Sequence, residues 1–243
     1  MIISLLSCAI LSAWVYSPHT KDIPMGIYNP TVVSERVTLF ESDQECVAAY
    51  RGSDSFQDFM DDVRIQTNQH CDHGDEFLRE FLLSFDEIDE LVHDKIEKAL
   101  KGENCKNKKL YFTGHSLGAA MALIAPIKYG IRDFEKIITF GGPRVCCWEY
   151  PMSVDKIIRV VNEKDPIPAL PEPVEVSQLY HCGPHILTLP SRKVMNDYEW
   201  PPLSENYDLF DHGISHYISN LMKYINHLRS IELYQAITRF RFA

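Results

Sequence analysis

Residues 108–129 read KKLYFTGHSLGAAMALIAPIKY, and within this stretch Gly114, Ser116 and Gly118 form a G-x-S-x-G motif. The apolar run before the motif predicts a buried strand, and the run rich in alanine and leucine after it predicts a helix. A serine between such a strand and helix occupies a strained turn that lifts its hydroxyl above the edge of the sheet. The motif therefore makes Ser116 the candidate nucleophile, and the alternative is an ordinary turn serine flanked by glycines.

Strand-like and helix-like runs alternate along most of the chain, which predicts an α/β fold with a mostly parallel central sheet covered by helices. Strands are also predicted over 36–40, 45–50, 136–140 and 156–161, and helices over 75–101, 116–129 and from 211 to the C-terminus. The eight prolines from Pro166 to Pro202 predict a loop-rich surface segment, because proline blocks helix interiors and central strands. No repeat or linker divides the chain, so we expect residues 1–243 to form a single domain.

The composition excludes several classes of function. The chain has 45% hydrophobic and 24% charged residues, which is typical of a soluble globular protein. Its net charge is −10 and it has no long lysine or arginine run, so we expect no nucleic-acid partner, since phosphate binding needs clustered cations. The seven cysteines include no CxxC pair, which excludes a zinc knuckle, and their odd number favours reduced thiols and a cytoplasmic location.

The first residues are apolar from Ile2 to about Val15, with no positive charge before Lys21. A signal peptide normally begins with a basic region, and a membrane-spanning helix needs roughly 20 apolar residues. We therefore expect residues 1–20 to form a packed N-terminal helix. The alternative is a signal peptide, whose removal would leave six cysteines in a secreted protein.

A serine nucleophile needs a base that is oriented by an acid, and in α/β-hydrolases these residues follow the serine in the order acid, then histidine. Asp165 comes just after the predicted strand 156–161 and is the candidate acid. Glu163 lies closer to the end of that strand and competes for the same role, whereas Asp155 precedes the strand and belongs to the opposite edge of the sheet.

Five histidines follow the candidate acid along the chain. His212 stands at the start of the last helical region, where a loop brings it over the serine, and is the candidate base. His216 is one helical turn further on and shares a face with it, so position alone leaves both open. We expect the remaining three to pack or face solvent, and these are His181, His185 and His227.

Six segments carry distinctive patterns: RGSDSFQDFMDD (51–62), GHSLGAAMA (114–122), FGGPRV (140–145), DPIPALP (165–171), YHCGP (180–184) and DHGISHY (211–217). Together, and in this order, they resemble the motifs of the class 3 lipase family, the fungal-lipase-like branch of the α/β-hydrolases. The chain departs from that family at Cys146, where glycine is usual. The resemblance favours Asp165 over Glu163 as the acid and His212 over His216 as the base.

The resemblance also implies an oxyanion hole, formed by the backbone N–H and hydroxyl of Ser53 and by the backbone N–H of Leu117. The alternative for Ser53 is a plain helix cap. The implied activity is that of a serine hydrolase, a triacylglycerol-lipase-like carboxylesterase acting on acylglycerols or phospholipids through an acyl-enzyme. No metal or organic cofactor is implied, because a Ser-Asp-His triad needs none. The alternatives are an esterase for short-chain, aryl or protein-acyl esters and a catalytically silent binding module.

Family lipases have an amphipathic lid after the first of these segments, and here the corresponding stretch 63–72 reads VRIQTNQHCD. A lid this short and polar covers little apolar surface, so we expect no strong interfacial activation. Transient contact with a membrane or lipid surface remains an expectation. The residues that either line an acyl groove or pack down the proline-rich loop are Leu179, Trp200, Leu203 and Phe210.

Overall fold

The computed structural model describes residues 2–17, 28–53, 94–102, 105–145, 154–170, 186–189, 194–195 and 207–241. Its strands form one eight-stranded sheet in which they lie in chain order. The strands are β1 (Asn29–Val32), β2 (Val37–Glu41), β3 (Glu45–Tyr50), β4 (Lys109–His115), β5 (Lys136–Phe140), β6 (Ile157–Asn162), β7 (Ile186–Leu189) and β8 (Val194–Met195). Neighbours from β3 to β7 pair in parallel, and β1, β2 and β8 add antiparallel edges. The expected mostly parallel sheet is confirmed.

Helices cover both faces of this sheet: α1 (Ile2–Trp14), α2 (94–101), α3 (Leu117–Lys128) and α4 (Ile214–Arg241). Successive strand residues point to opposite faces, and β3 shows this in its packing. Ala48 belongs to the apolar cluster under α2 and α3, whereas its neighbours Val47 and Ala49 belong to the cluster under α1 and α4. Because both faces are covered, the central strands β4, β5 and β6 are buried along most of their length and are mainly apolar.

Helix α1 packs into the core of the structure. Leu5, Ala9 and Leu11 are buried, and the helix contacts β4 and α4. The hydroxyl of Ser12 lies 3.0 Å from that of Thr113 in β4. Residues 2–14 thus form a helix packed against the sheet, and the assignment of residues 1–20 as a whole stays a prediction.

A disulfide joins Cys46 in β3 to Cys105 in the turn before β4, with their Cα atoms 5.4 Å apart. The expectation of reduced thiols is therefore wrong for this pair, because the parity of a cysteine count says nothing about which thiols meet in space. Cys8 is the free cysteine of the described residues, and burial raises the pKa of its thiol to about 12. Cys71, Cys146, Cys147 and Cys182 lie outside the described residues.

Replacing both Cys46 and Cys105 with alanine is expected to lower the free energy of unfolding by about 4 kcal/mol, because the bond closes a long loop in the unfolded chain. The loss is measured by urea unfolding without reductant, and a non-reducing peptide map identifies the linked pair. Equal unfolding midpoints, or two alkylated thiols in the map of the unmodified protein, would contradict the bond.

Other differences from the sequence predictions concern the edges of the sheet and the segments between its strands. Strands β1 and β8 were not predicted, because each is short and lies at an end of the sheet, where few apolar residues are needed. Of the helix predicted over 75–101, the described part, 94–101, is helical. The segment from Pro166 to Pro202, predicted to be rich in loops, also contains the strand β7. Much of the rest of it lies outside the described residues, as does 63–72.

Candidate active site

The G-x-S-x-G motif forms a strained turn between β4 and α3. Ser116 has φ 59° and ψ −128°, a left-handed backbone that residues other than glycine rarely adopt, and its side chain makes no capping hydrogen bond to α3. A Cβ at Gly114 would collide with the carbonyl of Gly118, and a Cβ at Gly118 would collide with the carbonyl of Tyr50. Both glycines are therefore required for the chain to pass through this turn.

The loop after β3 lies against this turn. A Cβ at Gly52 would lie 2.7 Å from the carbonyl oxygen of His115 and 3.2 Å from the Cβ of Ser116. The next residue, Ser53, has a hydroxyl oxygen that is inaccessible to solvent and has no hydrogen-bond partner among the described residues. An unpaired buried hydroxyl is unfavourable in a folded protein.

The N-terminus of α3 presents further donors at the same place. Leu117 is the first residue of the helix and is buried. The first N–H groups of an α-helix have no partner within the helix, and they carry the positive end of its dipole. The residues predicted to form an oxyanion hole, Ser53 and Leu117, therefore belong to the two backbone segments that meet at Ser116.

Asp165 and His212 form a hydrogen-bonded pair in which the aspartate is buried and the histidine is partly buried. His212 Nδ1 lies 3.0 Å from Oδ1 and 2.9 Å from Oδ2 of Asp165, and the Asp165 side chain is fully buried. Since a carboxylate only accepts, Nδ1 of His212 carries the proton, which leaves the lone pair of Nε2 available. Glu163, the competing acid, is exposed in the turn after β6.

Tyr217 completes the surroundings of Asp165 and was not recognised as a site residue from sequence. Its hydroxyl donates to Asp165 Oδ2 at 2.6 Å and accepts from the amide of Asn162 at 3.1 Å. Burial and the nearby Asp165 carboxylate raise its pKa well above the ordinary value, so it remains a donor. The amide of Ile167 donates to the other carboxylate oxygen at 2.9 Å. The signal for Tyr217 was its place at the end of the DHGISHY motif.

Arg144 holds the loop that follows Asp165. It is buried, its amide donates to the carbonyl of Leu170 at 2.8 Å, and its guanidinium donates to the carbonyl of Ala169. Arg144 of the FGGPRV motif therefore fixes the loop that follows Asp165 through two hydrogen bonds to its backbone.

His115 lies between the nucleophile turn and His212. Its Nε2 lies 2.6 Å from the carbonyl oxygen of His212, and the centroids of the two imidazole rings are 4.6 Å apart. Burial, together with the neighbouring His212, lowers the pKa of His115 well below its ordinary value of 6.5. His115 is therefore neutral in the folded protein near neutral pH.

The other candidates lie elsewhere. His216 Nδ1 is 3.6 Å from Asp211 Oδ1, so the structure pairs it with Asp211 rather than with Asp165. His227 is exposed on α4. Phe210 is 69% exposed and rests against the His216 ring with centroids 4.2 Å apart, so it is not packed into a loop. His181, His185, Leu179, Trp200 and Leu203 lie outside the described residues.

Within the described ranges, no group of three or more His, Cys, Asp or Glu side chains is placed to hold a metal ion. None of the helices in that same part of the chain is both long enough and apolar enough to cross a membrane.

Comparison with known proteins adds to this geometry. The model of the family described as lipase (class 3) matches residues 47–175. The chain is 40% identical over 85 residues to lipase ZK262.3 of Caenorhabditis elegans, covering 31% of this chain and 24% of that protein. It is 29% identical over 157 residues to the secreted mono- and diacylglycerol lipase MDL3 of Malassezia globosa, covering 57% of this chain and 51% of the relative. The chain thus spans about half or less of these relatives.

A solved structure shares the fold. The Rhizomucor miehei lipase in its propeptide complex superposes with a TM-score of 0.59 at 20% identity, covering 87% of this chain and 78% of that one. The α/β-hydrolase type of fold expected from the sequence is confirmed.

Proposed function

Because the chain belongs to the class 3 lipase family, we propose that it hydrolyses carboxylic esters of lipids, acylglycerols or phospholipids, through an acyl-enzyme. The observation that carries this proposal is the hydrogen-bonded Asp165–His212 pair, which fixes the proton on Nδ1 and leaves Nε2 of His212 ready to accept one. The strained turn at Ser116 and the unpartnered hydroxyl of Ser53 support it.

In the proposed reaction, Nε2 of His212 takes the proton of Ser116 Oγ as that oxygen attacks the acyl carbonyl. Asp165 stabilises the imidazolium that forms, and Tyr217 keeps the carboxylate in place. The negative charge on the former carbonyl oxygen is bound by the N–H groups of Leu117 and Ser53 and by the Ser53 hydroxyl. The alcohol leaves with the proton from His212, and a water activated by the same base then releases the fatty acid.

The structure of the site favours catalysis over the silent binding module. A binding module has no use for a serine in a strained turn, a histidine with a fixed tautomer and an unpartnered buried hydroxyl in neighbouring segments. The lipid substrate is supported by the family and by the name of MDL3, a mono- and diacylglycerol lipase. Short-chain, aryl and protein-acyl esters remain the alternative, since they use the same chemistry.

A panel of p-nitrophenyl esters with short to long acyl chains, followed by acylglycerol and phospholipid emulsions, tests the proposal. We expect hydrolysis that is absent from the Ser116→Ala variant and fastest with longer chains. A short-chain optimum without lipid hydrolysis would support the alternative esterase. A folded protein that hydrolyses none of these esters would overturn the enzyme proposal.

We further propose that the turn before His212 contacts the lipid surface. Leu209 and Phe210 are exposed by 49% and 69%, and they lie three and two residues before the candidate base, respectively. Contiguous exposed apolar side chains often mark a surface that contacts a lipid or another protein. An aggregated lipid that delivers its ester to Ser116 would also cover these two residues.

Replacing Phe210 with serine is expected to lower the ratio of activity on emulsified ester to activity on dissolved ester by about tenfold, because it removes most of an apolar contact. Both rates are measured on the same preparations. Met222→Ser is the matched control, since Met222 is 51% exposed on α4. A ratio that falls equally in the two variants would contradict a local contact.

For the compartment, we propose an oxidising one. The Cys46–Cys105 disulfide supports this, because such bonds persist mainly in secretory and extracellular proteins, and MDL3 is named as secreted. Peptide mapping of the protein from its natural source tests the proposal, and reduced Cys46 and Cys105 there would restore the cytoplasmic expectation.

A further inference from the structure

Tyr16, just after α1, contacts both backbone segments that meet at the nucleophile. Its hydroxyl lies 2.9 Å from Nδ1 and 3.4 Å from the carbonyl oxygen of His115. A Cβ at Gly52 would collide with the same hydroxyl, and the guanidinium of Arg51 lies 5.9 Å from the centre of the ring. Tyr16 therefore sits between the turn that carries Ser116 and the loop that carries Ser53.

The hydrogen bonds around His115 fix its tautomer. The carbonyl of His212 only accepts, so Nε2 of His115 must carry the proton that reaches it over 2.6 Å. A neutral imidazole then has an acceptor at Nδ1, and the group facing that acceptor is the hydroxyl of Tyr16. A continuous path of donors thus runs from Tyr16 through His115 to the backbone of His212.

We infer that Tyr16 is a positioning residue for ester hydrolysis, which holds His115 in the tautomer that binds the carbonyl of His212. The inference rests on the proposed function, because it gives His212 the role of base. Without the Tyr16 hydroxyl, His115 is free to move its proton to Nδ1. Its Nε2 then turns a lone pair toward the lone pairs of the His212 carbonyl, and the two acceptors repel each other.

The carbonyl that is displaced belongs to His212, the proposed base for Ser116. We therefore expect its displacement to slow the chemical step. A second restraint acts on the preceding residue, whose carbonyl accepts from Asn162 Nδ2 at 2.8 Å. This restraint keeps the turn folded when Tyr16 is changed. We therefore expect that removing the Tyr16 hydroxyl displaces His212 slightly without unfolding the turn that carries it.

The experiment compares Tyr16→Phe with Tyr28→Phe on a dissolved p-nitrophenyl ester. Tyr28 is the matched control, because its hydroxyl also makes a short side-chain bond, 2.6 Å to Glu45, at the opposite end of β3. Tyr16→Phe is expected to lower kcat by about tenfold with KM changed by less than about twofold, as a small displacement of a catalytic group does. Tyr28→Phe is expected to keep kcat, and thermal unfolding establishes that both variants fold.

A double-mutant cycle tests whether Tyr16 acts through His115. His115→Gln retains a side-chain N–H donor but has no acceptor at the Nδ1 position, so Tyr16→Phe is expected to change kcat little in that background. Independent, multiplying losses would overturn the inference, as would a Tyr16→Phe enzyme with the kcat of the unmodified protein. If Ser116→Ala is active, the proposed function itself fails, which is a different result.

The tautomer is also read directly from the unmodified protein, which keeps the inference testable whatever the variants do. A long-range proton–nitrogen correlation spectrum of the imidazoles is expected to show His115 protonated at Nε2 with Nδ1 accepting a hydrogen bond. In Tyr16→Phe the spectrum is expected to shift toward the other tautomer. Protonation at Nδ1 in the unmodified protein would overturn the inference.

Discussion

Replacing Ser116 with alanine is expected to lower kcat for ester hydrolysis by about a million-fold, the loss typical of removing a serine nucleophile. The reason is that no acyl-enzyme forms without the hydroxyl, and only the oxyanion donors and substrate binding remain to assist water. The side chain makes no capping hydrogen bond to α3, so we expect the free energy of unfolding to change little.

The measurement combines steady-state rates with mass spectrometry after treatment with an organophosphonate ester. The unmodified enzyme is expected to gain one adduct at Ser116, and the variant none. Ser12→Ala is the matched control, because it also removes a buried hydroxyl, one paired with Thr113 far from the proposed chemistry. An alanine variant that retains ester hydrolysis would remove Ser116 from the mechanism.

Replacing His212 with alanine is expected to lower kcat by a similar factor of about a million, because members of a triad act as a unit. For the same reason, combining His212→Ala with Ser116→Ala is expected to add almost nothing to either single loss. The rates are measured on the same dissolved ester for the two single variants and the double variant.

His216 supplies the control for this assignment. It lies four residues further on, pairs with Asp211 and is in contact with Phe210 rather than with Asp165. His216→Ala is expected to keep kcat on a dissolved ester within about twofold, since a partly exposed pair contributes little. The reverse pattern, an inactive His216→Ala and an active His212→Ala, would move the role of base to His216.

Sequence reasoning located the parallel strands well, because each is a short apolar run between polar residues. The bounds of β3 and β5 were predicted to the residue, those of β2 and β6 within one residue, and β4 was predicted directly before the G-x-S-x-G motif. The antiparallel edges β1 and β8 lacked that pattern. The local pattern also predicted the turn at Ser116, because Gly114 meets Gly118 within the motif, although Gly118 also lies against the distant Tyr50.

The contacts that assemble the site join residues far apart in sequence, and this explains what was missed. Asp165 and Glu163 both follow β6 closely, so their places in the sequence did not distinguish them. The fold shows that Asp165 is buried beside His212, whereas Glu163 faces solvent. The hydroxyl of Tyr16 meets His115 across 99 residues, a distance at which no periodicity carries information. The disulfide was missed for the same reason. The catalytic roles of these residues stay predictions.

The packing of α1 against α4 has a consequence for synthesis on the ribosome. The sheet grows by adding each strand beside the previous one, so much of it can form while the chain is still emerging. Helix α1 can pack against β4 once that strand has formed, but its contacts with α4, far along the chain, form later. His212 is synthesised just before that helix, so for a time the nascent chain carries the Ser116 turn without the proposed base. The proposed activity is therefore expected to begin only after α4 has left the ribosome.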